Sequence, residues 1–381
     1  MKMIYLANAR IPTEKAHGVQ IMSMCDAFKA AGVDIELVVA KRKDNQLENT
    51  DPFLYYGINN RFLIHKLWLL DIVAWGRSFK GLSVLIQNTS FGISAMLYLL
   101  FKKADFIYSR DEFSLFLISL FKKNIVLELH TFPNSKLFLY KFLLKRTKKI
   151  ITITELLKKL LVEKLNVDPA KIQVNPDGIN LDQFDMALTR SECRRRLNLP
   201  QEKKIIIYCG HLFGWKGVYT LAESSKYLAD DNLIVFVGGM EHDKNKLGCY
   251  IRDKNLKNVI LLGHKPPTEI PFYLNAADAA VLPNSAQNDI SKFYTSPMKL
   301  FEYMAAKIPI VASDLPSVRE ILNENNSLLV KPDNPMALAA GIRTVLNDEL
   351  LAQRFSDAAY CQVKSYTWRK RVQSILSFIT K

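Results

Sequence analysis

The sequence predicts an α/β fold of two units, each a parallel sheet with helices on both faces. Three observations predict it. Short β-rich apolar runs alternate with helical patterns, and several end near glycine or proline. There are more such runs than one doubly wound sheet comfortably holds. The composition also breaks near Asp182–Lys204, after which Ile205-Ile206-Ile207-Tyr208-Cys209-Gly210 reads as the first strand of a new unit. A length of 381 residues agrees, since domains run to roughly 100–200 residues.

In the first half, Ile4–Ala7 is the opening strand. A helix follows over Gln20–Ala31, stopped by Gly32 in the usual position of a C-terminal glycine. Strands are expected at Ile35–Val39, Phe106–Tyr108, Ile125–Leu129 and Ile150–Thr154. Gly81 to Phe101 carries no charge and is long enough to span a bilayer. Gln87, Asn88, Thr89 and Ser90 sit in its middle, where unpaired polar groups are costly, so a strand or turn followed by a buried helix is expected. After the break, the charged segment Ser191–Leu197 is helical. Strands follow at Ile205–Cys209, Leu233–Val237, Val259–Leu262, Ala279–Leu282 and Ile310–Ala312. This places the domains at 1–183 and 184–364. The amphipathic segment 365–381 follows them.

The net charge is +15, with 49% hydrophobic and 23% charged residues. That composition excludes a disordered or collagen-like chain. The basic excess, shared by both halves, points to an anionic partner: nucleic acid, anionic lipid or a phosphorylated substrate. No zinc module, helix-turn-helix or aromatic RNA motif occurs, so nucleic acid is not expected. The densest basic run is Lys136, Lys141, Lys145, Arg146, Lys148 and Lys149, interleaved with Leu137, Phe138, Leu139, Tyr140, Phe142, Leu143 and Leu144. It reads either as a basic amphipathic helix on an anionic membrane surface or as a solvated, half-buried helix of the first domain. Five scattered cysteines form no Cys-x-x-Cys, which argues against a disulfide framework or structural zinc and for a reducing compartment. The N-terminal apolar run is too short for a signal peptide. The expected location is cytoplasmic, peripheral at the inner face of the membrane.

Open parallel sheets bind ligands at the carboxyl ends of their strands. Four segments stand there. Gly210-His211-Leu212-Phe213-Gly214-Trp215-Lys216-Gly217 joins a strand to a helix beginning near Val218. Its glycines suit close approach to a phosphate, and Lys216 suits a diphosphate; an ordinary glycine-rich turn is the other reading. Tyr294-Thr295-Ser296-Pro297-Met298-Lys299-Leu300-Phe301-Glu302 starts a helix, with Ser296 as cap and proline at the first helical position. Glu302 lies in an apolar segment and needs partners; ribose hydroxyls or a helix ion pair would serve. Lys15-Ala16-His17-Gly18-Val19-Gln20 is a backbone approach site or a plain loop. Glu128-Leu129-His130 ends a strand with a histidine that is either functional or a satisfied core residue. No nucleophile elbow, His-Glu-x-x-His or Asp-x-Asp motif occurs, and no metal site is expected.

In order and spacing these segments resemble glycosyltransferase family 4. Also part of the match are Asn175-Pro176-Asp177-Gly178-Ile179-Asn180, Gly263-His264, Ala277-Asp278 and Pro309-Ile310-Val311-Ala312-Ser313. The resemblance covers nearly the whole chain. It implies the GT-B architecture, two Rossmann-like domains facing across a cleft, with the last helix crossing back onto the first domain. It implies retaining transfer from a nucleotide-sugar donor to a glycan or lipid-linked acceptor, without cofactor or essential metal, in synthesis of a bacterial-type cell-surface polysaccharide or glycolipid. Site roles follow from it. Gly18, Gly210, His211, Lys216, Ser296, Met298, Lys299, Leu300 and Glu302 would hold the donor, with Lys216 on the diphosphate and Glu302 on the ribose. His17 and His130 would lie on the acceptor side, and His130, Lys216 and Glu302 would be catalytic. His211 stands where the family commonly has arginine, Tyr294 where it has the first glutamate of Glu-x7-Glu, and Lys307 where it has glycine. The alternative is a catalytically weak, nucleotide-sugar-binding partner subunit of the same fold.

Overall fold

A computed structural model of the chain describes residues 1–42, 47–71, 80–133 and 137–381. It divides into two compact units. The first is Met1–Pro176 with Trp368–Lys381, and the second is Asp177–Thr367. The division falls at Pro176/Asp177 rather than at 183/184, because Ile179 is buried in the core of the second unit, with Leu181 and Phe184 against it.

In the first unit, β1 (Lys2–Ala7), β2 (Asp34–Ala40), β3 (Leu63–Leu67), β4 (Phe106–Ser109), β5 (Ile125–Leu129), β6 (Lys149–Thr152) and β7 (Ile172–Val174) form one parallel sheet, ordered β3-β2-β1-β4-β5-β6-β7. Met3, Ile4, Tyr5 and Leu6 are wholly buried, as expected of a central strand covered on both faces. The order reverses between β1 and β4, in register Ile4 against Ile107. That is the switch point where such sheets bind ligands.

The helices of this unit are α1 (Ala16–Ala30), α2 (Pro52–Tyr56), α3 (Lys80–Leu100), α4 (Glu112–Ile118), α5 (Leu137–Arg146) and α6 (Glu155–Leu165). The last helix of the chain joins them. It covers Trp368–Ile379 and packs on α1, burying Trp368, Arg371, Val372, Ile375 and Ile379 at helical spacing.

Two expectations for this unit are corrected. Gly81–Leu100 is helical throughout, within α3 and with no strand or turn inside it; Phe101 lies just past its end, and only one face is buried. Phe91, Ala95 and Leu99 are in the core, while Leu82, Leu85, Ile93, Leu97 and Leu100 are exposed. Its polar residues do not break it because the fold gives them partners. Gln87 donates to Asp71 (2.6 Å), Asn88 accepts from Asn8 (3.0 Å), and the Ser90 hydroxyl accepts from the Leu70 amide (3.0 Å). The helix is long and apolar enough to cross a bilayer by length and composition alone. The basic run is likewise not a single helix. Lys136 lies outside the described residues, α5 ends at Arg146, and Lys149 opens β6 with its ammonium over the Phe378 ring.

The second unit repeats the plan. Its strands β8 (Lys204–Cys209), β9 (Asn232–Val237), β10 (Val259–Leu261), β11 (Ala279–Leu282), β12 (Ile310–Ser313) and β13 (Leu328–Val330) are parallel, ordered β10-β9-β8-β11-β12-β13. Alternation along β8 builds two cores. Ile205, Ile207 and Cys209 enter one and Ile206 and Tyr208 the other. The helices are α7 (Arg190–Arg196), α8 (Val218–Ser224), α9 (Glu241–Asp253), α10 (Ile270–Asn275), α11 (Met298–Ala305), α12 (Pro316–Arg319), α13 (Pro335–Asn347) and α14 (Glu349–Val363). The last helix, Trp368–Ile379, is therefore α15. The charged α7 owes its start to a capping box between Thr189 and Glu192.

Candidate active site

In the second unit the site grows from the end of β8. Gly210 follows Cys209, and a Cβ on it would lie 3.8 Å from the Lys299 side chain. The His211 carbonyl accepts from the Tyr208 hydroxyl (2.7 Å), and the imidazole stacks on Phe213 with ring centres 5.1 Å apart. The chain then makes a 3-10 turn over Gly214–Lys216, closed by Gly217 in the left-handed region (φ +72°). A Cβ on Gly217 would come within 1.7 Å of the Pro283 carbonyl oxygen, so only glycine lets the loop pack on the end of β11. The turn brings the Lys216 ammonium 5.1 Å from the Trp215 ring centre. Burial pushes the Lys216 ammonium down to about 8.

Facing this loop is the start of α11. Lys299 and Glu302 are one turn apart and share a face. Lys299 is only 7% exposed. Its ammonium lies 3.7 Å over the Tyr208 ring and has no hydrogen-bond partner among the described residues. Burial, and then the charge of Lys216, hold it well below the usual lysine range. Burial also raises Glu302, to about 7, against the opposing pull of Lys299.

Ser296 does not cap the helix. Pro297 occupies the N-cap with extended backbone, and the buried Ser296 hydroxyl has no hydrogen-bond partner among the described residues. Among the described residues, no side-chain cap is formed at the start of α11. Leu300 is different. Its side chain is in the core and its amide donates to the Pro297 carbonyl (2.9 Å). The unit thus presents two ammonium groups and an uncapped helix start beside a carboxylate of raised pKa. That arrangement suits a doubly anionic group with a hydroxylated neighbour.

Lys307 follows α11 with φ +54°, in the left-handed region that glycine adopts without strain. Its ammonium lies 4.2 Å over the Tyr360 ring. A left-handed non-glycine residue costs about 1–2 kcal/mol, and an exposed cation–π contact returns about 0.5–1 kcal/mol. Lys307→Gly should therefore match wild type or exceed it by up to about 1.5 kcal/mol, while Lys307→Ala, keeping the strain without the contact, should lose about 0.5–1 kcal/mol. Urea unfolding of both variants checks this.

In the first unit, His17 and Gly18 lie in the first turn of α1 rather than in a loop. A Cβ on Gly18 would meet the Tyr56 hydroxyl at 2.2 Å. That hydroxyl accepts from the Thr13 amide and donates to the Thr13 carbonyl, both at 2.7 Å, so Gly18 admits the tyrosine that fixes the loop after β1. His17 is pushed down to about 4 by burial and then by Arg110, Lys15 and Arg42. Sequence reasoning missed Arg42 and Arg110. Yet both stand just past strand ends, β2 and β4, and flank the switch point. Arg42 donates to Asn8 (2.6 Å) and Arg110 to Gln20 (2.8 Å). His130 follows β5, with Nε2 2.5 Å from Glu128. His17 and His130 are thus both at the carboxyl edge of the first sheet, His17 among cations and His130 on a carboxylate.

Comparison with known proteins bears on both units. A model described as Glycosyltransferase Family 4 matches residues 17–183, and one described as Glycosyl transferases group 1 matches residues 189–362. The putative teichuronic acid biosynthesis glycosyltransferase TuaC of Bacillus subtilis is 29% identical over 193 residues, 50% of this chain and 46% of the relative. The UDP-Gal:alpha-D-GlcNAc-diphosphoundecaprenol alpha-1,3-galactosyltransferase of Escherichia coli is 27% identical over 242 residues, 61% of this chain and 60% of the relative. The chain thus spans about half of these relatives' lengths. Among solved structures, a glycosyltransferase from Rickettsia africae superposes with a TM-score of 0.75 at 18% identity, covering 100% of this chain and 97% of the other. Anabaena Alr3699/HepE, in complex with UDP and glucose, gives 0.77 at 16%, covering 100% and 99%. These likenesses show the two-domain GT-B fold.

Proposed function

Because the chain belongs to glycosyltransferase family 4, we propose that it transfers a sugar from a nucleoside-diphosphate-sugar donor to a glycan or lipid-linked acceptor, with retention of configuration, in the synthesis of a bacterial-type surface polysaccharide or glycolipid. The observation that carries this reading is the Lys216–Lys299 pair at the uncapped start of α11, with Glu302 one turn further on. The lysines and the amides of Met298 and Lys299 take the diphosphate, and Glu302 takes the ribose hydroxyls. As the sugar–phosphate bond breaks, charge grows on the leaving diphosphate. Lysines already in place stabilise it without reorganisation. They supply the charge a metal would otherwise bring, so no essential metal is proposed. The leaving phosphate, on the same face as the incoming hydroxyl, helps take its proton. The UDP held by the Anabaena neighbour and the lipid-linked substrate named for the Escherichia coli relative support this reading. The partner-subunit reading rests on Tyr294 and His211; the presence of Lys216, Lys299 and Glu302 favours turnover.

Incubating the chain with nucleotide sugars and lipid-diphosphate acceptors tests the proposal, with and without EDTA. A product of the donor's anomeric configuration, insensitive to EDTA, supports it. An inverted product or EDTA-abolished transfer contradicts it.

Lys216 and Glu302 set the two limits of the pH dependence, and Lys299, held well below the usual lysine range, adds to the loss as pH rises. Diphosphate binding needs Lys216 charged and is lost as pH rises through about 8. Ribose binding needs Glu302 ionised and is lost as pH falls through about 7. Nucleoside-diphosphate affinity should therefore peak between these values and fall on both sides, toward about tenfold per pH unit. Calorimetric titration from about pH 6 to about pH 9, roughly one unit beyond each value, checks it.

The acceptor is proposed to be anionic and membrane-borne. Arg42 and Arg110 beside His17 favour a negative group. The exposed stripe of α3 and the exposed Phe138, Lys141 and Lys145 of α5 suit an anionic membrane surface at the cytoplasmic face. Flotation with phosphatidylglycerol vesicles should carry the chain up at low salt and release part of it at high salt. Leu85→Glu with Leu97→Glu should abolish flotation. Recovery of the wild type with the soluble fraction at low salt would contradict this.

A further inference from the structure

Glu128 sits in the middle of an apolar strand, 1% exposed, and its carboxylate is crowded with donors. Gln20 Nε2 donates to Oε1 at 2.7 Å, His130 Nε2 lies 2.5 Å from the same oxygen, and the Tyr108 hydroxyl donates to Oε2. Arg371 Nη2, from α15, lies 3.1 Å from Oε1. Arg371 is itself buried. Its guanidinium also donates to the carbonyls of Pro176 (2.9 Å) and Asn175 (3.2 Å). The network continues outward, since Gln20 accepts from Arg110 beside His17.

We propose that Glu128, fixed by Arg371 of the last helix, is a positioning residue for His130, selecting its tautomer and ring orientation. This rests on the reading of His130 as a group at the reacting centre. Burial would push Glu128 up, but Arg371, then His130 and Arg110, hold it well below the usual range. An ionised carboxylate only accepts. The His130 nitrogen facing it must therefore carry hydrogen. In the neutral ring that makes Nδ1 the nitrogen with the lone pair. The logic is that of a buried aspartate orienting a catalytic histidine.

A purely structural reading makes Glu128 the counter-ion of Arg371 and nothing more. Four apolar residues of α15 already anchor that face: Trp368, Val372, Ile375 and Ile379. Buried ion pairs are on average no more stabilising than well-packed apolar residues, so anchoring alone does not call for the pair. The second helix-to-sheet consequence, a fixed imidazole, does.

The test combines ring ¹⁵N spectra of histidine-labelled protein with kinetics on Glu128→Gln, Glu128→Asp and Arg371→Lys. His130→Gln identifies the signal. The wild type should show His130 as the Nε2–H form. Glu128→Gln should average the two ring nitrogens and lower kcat by about 10–100-fold, with donor KM within about twofold and the nucleotide-induced thermal shift retained. Glu128→Asp keeps the charge for Arg371 and withdraws the carboxylate from the ring, so it separates folding from positioning; it should lose the tautomer bias while remaining folded. Arg371→Lys should fall between. A wild-type tautomer in folded Glu128→Gln or Glu128→Asp overturns the proposal, as does unchanged kcat in those variants. If the wild type transfers no sugar, the functional reading fails, and the ring spectra still decide whether Glu128 orients His130.

Discussion

Replacing Lys216 by alanine should lower kcat by about 10²–10³-fold, the usual consequence of removing one preorganised group from a developing negative charge. Nucleoside-diphosphate binding should weaken as well. The folded state should not suffer. Lys216 is held below its ordinary range by burial, so its charge is carried at a cost to the empty protein that alanine removes. Thermal unfolding of the variant at or above the wild-type temperature, alongside lost turnover, is the expected pair of results. Glu302→Ala should behave alike for the same reason, since its carboxyl is raised to about 7 by burial. A raised carboxyl contributes stability that is present below its unfolded pKa and lost as pH rises through the folded value. Without Glu302, the stability difference from wild type should therefore favour the variant more at pH 8 than at pH 4. Loss of turnover through unfolding would instead mean that these groups hold the fold and do not wait for ligand.

Gly217→Ala should act in the opposite way, through structure first. The left-handed backbone alone costs about 1–2 kcal/mol for a side chain. The Pro283 carbonyl, 1.7 Å from the new Cβ, forces the loop off the sheet. An overpacked contact adds about 1–3 kcal/mol, so a total near 3 kcal/mol is expected. Because Lys216 is the preceding residue, nucleotide binding should fail even in the fraction that stays folded. Urea unfolding and nucleotide titration of the same sample distinguish the two effects. A variant as stable as wild type with intact binding would show that the loop has another way to close.

Most of the fold was legible because the central strands are short, apolar and bounded by breakers. Three strands went unread, β3, β7 and β13, and each lies at an outer position of its sheet. Edge strands need not be apolar throughout. Leu63-Ile64-His65-Lys66-Leu67 carries two basic or titratable residues, and Ile172–Val174 and Leu328–Val330 have only three residues each. Gly81–Phe101 was misread because its polar quartet looks like a break in one dimension. Its partners, Asp71, Leu70 and Asn8, are supplied by the fold. Ser296 was misread as a cap because sequence gives the residue type and not the backbone of Pro297 that displaces it.

Residues of the candidate site were legible where a motif occupies a strand end, as with Lys216, and where a charge interrupts an apolar helix, as with Glu302. Arg42 and Arg110 carried the same strand-end signal and were passed over, because each stands alone in sequence. Arg371 carried no readable signal. It lies 243 residues from Glu128, on a helix whose amphipathic pattern allots that position to the buried face.

The second unit is proposed to hold a nucleoside diphosphate through Lys216, Lys299 and Glu302. Thermal unfolding with UDP, GDP, ADP, CMP and dTDP in turn, with and without EDTA and beside Glu302→Ala, tests it most directly. A ligand at about 100 times its Kd should stabilise by about 2.7 kcal/mol. One nucleotide should stabilise the wild type, EDTA should change nothing, and Glu302→Ala should lose the shift. No shift with any of the five, or an equal shift in the variant, would contradict it.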